Sequence, residues 1–279
     1  PQSSILGAVI LGDKSRLSEE LKRKLNMAGV RHITAISGMH ITILSILLMQ
    51  ALIGLGLWKK QAFYLTLAFL ILFIVMVGLP ASAVRAGLMG GTFLLAKYLG
   101  RSSSGFRPII FAGTTMLAIN PLLLKLDVGF QLSFLAVLGI IYLSTIFQNL
   151  FKKVPNIFQL RNILAMTFSA QVFTLPILIY NFGYVSIVAP ITNILIIPLL
   201  PYIMILGFLV GIAGMIWQSL GWIISWPVWL LLTYLTKVID WSSQIPLATF
   251  AIANLHWIWL VAAYLILSGL AWKLNQNKN

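Results

Sequence analysis

Cysteine is missing from all 279 residues. Disulfides and thiolate metal sites are therefore excluded, and redox chemistry says nothing about compartment. Acid is nearly as scarce: five Asp and Glu face nineteen Lys and Arg, a formal charge of +14. Charged residues of both signs make up only 9% of the chain, against roughly 25% in soluble domains. There is no paired-histidine zinc motif, no phosphate-cradling glycine loop and no nucleophile elbow. Ser37, His40 and Asp127 make a hydrolase triad only on paper, so no catalytic residue, metal or cofactor is expected. A signal peptide is also not expected, because the apolar stretch Ile5 to Leu11 is too short and no basic segment precedes it. The chain opens on Pro1 rather than Met and is expected to belong to something longer.

What is there in abundance is apolar. Sixty per cent of residues are hydrophobic, more than a soluble fold of this size can hide from water. Lipid removes the conflict. The expected fold class is an all-α integral membrane protein, a polytopic bundle of about 8–10 transmembrane helices at roughly 20 residues each. Candidate spans are 33–58, 62–78, 83–99, 109–119, 130–147, 163–181, 185–200, 202–217, 220–238 and 255–272. The pair between 185 and 217 carries Pro190, Pro198 and Pro201, so these helices read as broken or re-entrant.

The first residues differ from the rest. Leu17, Leu21 and Leu25 recur every four residues, Glu19 and Glu20 come early, and Lys22 to Lys24 come late. This spacing and charge order predict an amphipathic helix ending at Gly29. It either lies along the membrane surface or packs on another domain. The expected division is a short segment with the surface helix over 1–32 and a transmembrane domain over 33–279.

Basic residues cluster in Lys59–Lys60, in Lys97, Arg101 and Arg107, and in Lys152, Lys153 and Arg161. Two spans separate consecutive clusters, so all fall on one side, which the positive-inside rule makes cytoplasmic. The N-terminus is then expected outside, and with ten spans the C-terminus as well. The overall basic excess has two readings, this cytoplasmic bias or attraction of a polyanion.

Polar groups inside spans are costly and therefore informative. Ser37 and His40 share a helix face at the start of the first span, with Gly38 permitting a kink or close approach. His40 reads as a proton site, a ligand, a phosphate contact or a histidine bonded to a neighbouring backbone carbonyl near the interface. Arg85 cannot shed its charge and must snorkel, pair with a carboxylate or line water. Gly87 and Gly91 give the small-residue spacing of close helix packing. Lys125, Asp127, Gln131 and Ser133 crowd the start of another span, either as a cap or with Asp127 pairing Arg85 beside a watery path. Thr167, Gln171 and Thr174 form one stripe continued by Asn181, interrupted by Pro176. A stripe of this kind suits a lumen or interhelical glue. Asn193 lies among the prolines of the broken segment, an arrangement used at transport sites.

These residues also carry a resemblance. LGDKSRLSEELKRKLNMAGVRHITAISGMHITIL is similar to the start of the competence domain of the ComEC family. The segments ASAVRAGLM, NPLLLKLDVGFQLSFLAVLGI and LPILIYNFGYVSIVAPITNILIIPLLP resemble three more, in the family's order. The likeness extends over roughly residues 5 to 270, with Met39 where the family usually has Leu. It implies a channel carrying single-stranded DNA across the bacterial cytoplasmic membrane during natural transformation. Implied partners are single-stranded DNA, the lipid bilayer, a cytoplasmic ATP-driven translocase, an outside DNA receptor and a second copy in a homodimer. The OB-like and metallo-β-lactamase-like domains usual in full-length members are not in this sequence, so nuclease activity is not expected of it. The rival expectation is a secondary transporter of a small anion, with His40 or Asp127 carrying protons.

Overall fold

The computed structural model describes residues 2–98, 106–156, 159–246, 248–251 and 256–276. The side chain of Lys97 and all of Arg101, both expected in a cytoplasmic cluster, lie outside the described residues. The chain divides into two compact units.

The first unit comprises Pro1–Leu21, Arg31–Pro121 and Leu199–Thr236. Its helices are α1 (Gln2–Leu11), α3 (Gly38–Gly54), α4 (Lys59–Met76), α5 (Ala81–Tyr98) and α6 (Phe106–Ile119), with α11 (Leu200–Ile216) and most of α12 (Gln218–Gln244). Ile36, Ile41, Leu44, Leu70, Ile74, Ala83 and Ala86 form a buried core. Gly87 permits this packing, since a Cβ there would come within 2.4 Å of the Ile74 side chain. Outward-facing Tyr64, Leu65, Phe69, Ile71 and Leu72 of α4 are exposed, an apolar surface that lipid would cover. Gly207 of α11 lets Leu6 and Ile10 of α1 approach closely.

The second unit comprises Lys22–Val30, Leu122–Pro198 and Lys237–Asn279. Short α7 (Leu123–Leu126) leads into α8 (Val128–Leu150), which returns as α9 (Leu160–Phe182) in an antiparallel pair. The two helices nearly touch at Gly139, where a Cβ would sit 2.3 Å from the Ser169 carbonyl oxygen. Phe147, Phe151 and Phe168 stack at the far end of the pair. After Gly183, with φ 69°, β1 (Tyr184–Ser186) pairs antiparallel with β2 (Thr249–Ala251), Tyr184 opposite Ala251. Helix α10 (Ala189–Ile196) follows β1, and α13 (Trp257–Gln276) follows β2.

Among the described residues, five helical runs are long and apolar enough to cross a membrane: Lys59–Met76, Val128–Leu150, Leu160–Phe182, Ala189–Ile216 and Gln218–Gln244. Shorter apolar helices include Gly38–Gly54, Arg107–Ile119 and Trp257–Leu270. The architecture is thus an all-α polytopic membrane protein with one two-stranded ladder among the described residues. One expectation changes. The stretches 185–200 and 202–217 join into a single helical run, Ala189–Ile216, because Pro198 and Pro201 fall in a 3-10 turn and a first helical turn, where a missing amide is tolerated. The β ladder brings the start of α13 to the end of α9, and Tyr264 of α13 reaches Phe173 of α9. Helix α13 therefore runs antiparallel to α9.

The amphipathic helix is α2 (Glu19–Met27). Ser18 Oγ caps it by accepting the Leu21 amide at 3.2 Å. Gly29, at φ 71°, ends it, with Val30 N–H donating to Leu25 O at 3.0 Å. Of its apolar face, Leu25 is fully enclosed and Leu21 half-buried, and Ala28 and Val30 just after the helix are fully enclosed. Its C-terminal end docks inside the second unit, where Ser186 Oγ donates to Met27 O at 2.7 Å. Gly29 lies so close to Ala189 that a Cβ would approach that side chain to 2.3 Å. Lys24 Nζ meets Asp240 Oδ1 at 2.9 Å.

Candidate functional site

In the first unit the polar candidates sit at helix starts. Ser37 is the N-cap of α3 and His40 its third residue. His40 Nδ1 accepts the Ser37 amide at 3.3 Å and contacts Ser37 Oγ at 2.8 Å. Because Nδ1 accepts an N–H, the ring proton resides on Nε2. That nitrogen is buried and has no acceptor among the described residues. His40 is only 1% exposed, and the pair caps the start of α3, while the backbone carbonyl expected as the histidine's partner is not bonded to it among the described residues. Arg85, in the second turn of α5, is 5% exposed. Gly38 faces Ala86, the residue beside Arg85: a Cβ on Gly38 would lie 4.0 Å from the Ala86 methyl. Helices α3 and α5 therefore meet at these starts.

In the second unit Asp127 is the N-cap of α8: its Oδ1 accepts the Phe130 amide at 3.0 Å. Gln131 Nε2 donates to Leu124 O at 2.7 Å, tying the cap to the α7 turn beside Lys125. This is the capping reading of that cluster. Arg85 belongs to the first unit and Asp127 to the second. Ser133 is half-buried on the same helix.

The stripe on α9 meets the broken segment. Asn193 Nδ2 donates to Thr167 Oγ1 at 3.3 Å, and Thr192 Oγ1 contacts Ser242 Oγ of α12 at 3.1 Å. Helix α10 is thereby held on both flanks by hydroxyl and amide groups. Asn193 Oδ1 is buried with no donor among the described residues. Thr174 Oγ1 is spent on Ala170 O at 2.9 Å, and Asn181 Nδ2 on Ile177 O at 3.0 Å. Gln171 is half-buried and Asn181 exposed. Pro176 lies inside α9, Pro190 at the start of α10, and Pro198 in the 3-10 turn after it.

Sequence reading missed Ser169, Thr192, Ser242 and Tyr264. Ser169 folds back on Ala165 O at 2.6 Å, and Tyr264 donates to Phe173 O at 3.0 Å. Single hydroxyls in apolar runs carry no local sign of their distant partners. Only Thr192 had a signal nearby, since it adjoins Asn193 between prolines. No metal-binding cluster occurs among the described residues.

The Competence protein family model matches residues 9–277. ComE operon protein 3 of Bacillus subtilis is 31% identical over 260 residues, which cover 90% of this chain and 32% of that protein. The chain therefore spans about a third of the length of that relative. No solved structure matches significantly. With the family model covering nearly the whole chain, and helices built to cross a bilayer carrying the motifs in order, this protein belongs to the ComEC-type competence proteins.

Proposed function

We propose that this chain forms the membrane conduit for single-stranded DNA during natural transformation, in the bacterial cytoplasmic membrane. The observation that carries the reading is the family match across residues 9–277, a range that contains the five helical runs long and apolar enough to cross a membrane. The physical character of the candidate path agrees. Ser37, His40, Arg85, Lys125, Asp127, Gln131, Ser133, Gln171, Thr174 and Asn193 supply many neutral hydrogen-bonding groups and few fixed charges. A strand that must pass needs guidance without tight holding, because each neutralised phosphate also slows release. No catalytic step is assigned to these residues.

The N-terminus faces outside in this proposal, since three basic clusters then lie in the cytoplasm. In this proposal the C-terminal end lies on the cytoplasmic side, a reading supported by the antiparallel course of α13 against α9. A cytoplasmic ATP-driven translocase and an outside receptor supply direction and delivery, and a second copy is a further partner. The test is transformation by a strain whose only copy carries Arg85→Ala, with membrane abundance checked by immunoblot. Reduced transformation at normal abundance supports the conduit. Normal transformation removes Arg85 from it, and normal transformation after deletion of the gene ends the proposal.

A further inference from the structure

Tryptophan in membrane proteins collects at the headgroup level, where the indole N–H meets water or ester groups. Helix α12 departs from that habit. Trp222, Trp226 and Trp229 recur at helical spacing and form one stripe. At 1.5 Å per residue, Trp222 stands about 6 Å along the axis from Gln218, and Trp229 about 16 Å. The first charge on the helix, Lys237, comes about 28 Å from the same end, close to the roughly 30 Å of a hydrocarbon core. The stripe therefore reaches the middle of the span. Neighbouring rings meet edge to face, with centroids 6.0 and 6.2 Å apart, and each ring is more than half exposed. Among the described residues no acceptor meets any of the three indole N–H groups.

The stripe borders a groove. Helix α1 lies beside it, and the space between them is a cavity of about 390 Å³. Val228 and Leu232 line its buried side. Gln2, Ser3 and Ser225 add polar groups to the lining. Gln2 Nε2 reaches Thr233 Oγ1 at 3.5 Å, which leaves the Gln2 carbonyl oxygen for a ligand. On the far side of the stripe, Ile223 and Leu230 are exposed and belong to the face that lipid covers. Whatever fills the groove must offer a flat or apolar face to the indoles and acceptors to their N–H groups in mid-span, where an unmet donor is costly. An acyl chain offers only the first, because its ester oxygens stay at the interface. A nucleobase offers both, and aromatic side chains stack on bases of any sequence.

We infer that the groove between α1 and the Trp222, Trp226 and Trp229 stripe is a base-stacking subsite for the single strand inside the membrane. The inference rests on the conduit reading and names residues outside the polar path. Stacking on neutral rings suits a strand that has to keep moving. It steadies each base without neutralising a phosphate, and a base that leaves one ring meets the next about 6 Å away.

Two measurements test it. Single cysteines are placed in this cysteine-free chain and labelled in opened membranes by a water-soluble maleimide. Ser225→Cys, in the groove, is expected to react, and to react several-fold more slowly when a single-stranded thymidine oligonucleotide is present. Ile223→Cys and Leu230→Cys, on the lipid side, are expected to stay unlabelled. Separately, the three tryptophans are replaced together by Phe, which keeps a stacking face, or by Leu, which keeps only apolar bulk. Transformation and membrane abundance are scored. The Leu strain is expected to lose transformation about tenfold, the scale of one base–aromatic stack, and the Phe strain less. Normal transformation in the Leu strain, or an equal loss in both, overturns the inference. So does a Ser225→Cys that never reacts, which puts lipid in the groove, or one that ignores the oligonucleotide. If the Leu protein fails to accumulate, the oligonucleotide's effect on Ser225→Cys decides alone. A Leu strain that transforms normally, where deletion of the gene abolishes transformation, sinks the stacking site and spares the conduit. Normal transformation after deletion removes the conduit reading itself.

Discussion

Asn193, from the proline-rich segment, donates its side-chain amide to Thr167 Oγ1 of α9 across 3.3 Å, with both residues buried. The bond joins the two features that looked most like a transport path, and it does so as a contact between helices. Thr167→Val would leave the Asn193 amide unpartnered. Interhelical hydrogen bonds in membranes average about 0.6 kcal/mol and reach about 1.7. A double-mutant cycle with Asn193→Ala and Thr167→Val, read by unfolding in detergent, is expected to give a coupling in that range. A coupling of zero would mean the two groups are independently hydrated.

Gly139 offers a sharper steric test. Gly139→Ala would place a methyl 2.3 Å from the Ser169 carbonyl oxygen, a backbone atom that cannot step aside. Overpacking of this kind costs roughly 1–3 kcal/mol, and the thermal midpoint in detergent should fall. Gly211→Ala is the control, because nothing lies within 4 Å of a Cβ there, and no loss is expected.

The attachment of α2 depends on Gly29 more than on its ion pair. Gly29→Ala meets both a left-handed backbone and the Ala189 side chain, so it should loosen the helix and expose Lys22 to Lys24 to trypsin. Lys24→Ala removes a partly exposed pair with Asp240, worth about 1 kcal/mol at most. Trypsin cleavage at the remaining sites should change little.

Sidedness can be read directly because the chain holds no cysteine. Single cysteines at Asn181 and Gly183, after α9, should react with a membrane-impermeant maleimide added outside. Cysteines at Lys153, before α9, and at Gln276, the end of α13, should react only after the membrane is opened. Reaction of Gln276→Cys from outside would break the antiparallel course of α13 and α9.

Much of the fold could be read from residues alone. Composition demands a lipid environment, and Asp127 announced itself as a cap because it stands three residues before the Phe130 amide it accepts. Ser37 and His40 were legible for the same reason: their bond spans a single helical turn, and turn geometry is local. The α2 spacing showed a helix with one apolar face but could not say what covers it, since a buried stripe looks the same against lipid or protein. In the structure Leu25 of that face is fully buried, and the residues at the end of the helix meet Ser186 and Ala189. The pairing of β1 with β2 was invisible, since three-residue strands are separated by the whole of α10, α11 and α12.

The sequence by itself therefore determined the solvent, the helical class, the caps and the family, because each depends on composition or on neighbours within a turn or two. Only the tertiary structure decided that Ala189–Ile216 is one run, that α13 opposes α9, and that Thr167, Asn193 and Tyr264 have partners on other helices. Those outcomes depend on which distant surfaces meet, and in an apolar chain nearly every surface looks alike until a lone hydroxyl or glycine selects one neighbour.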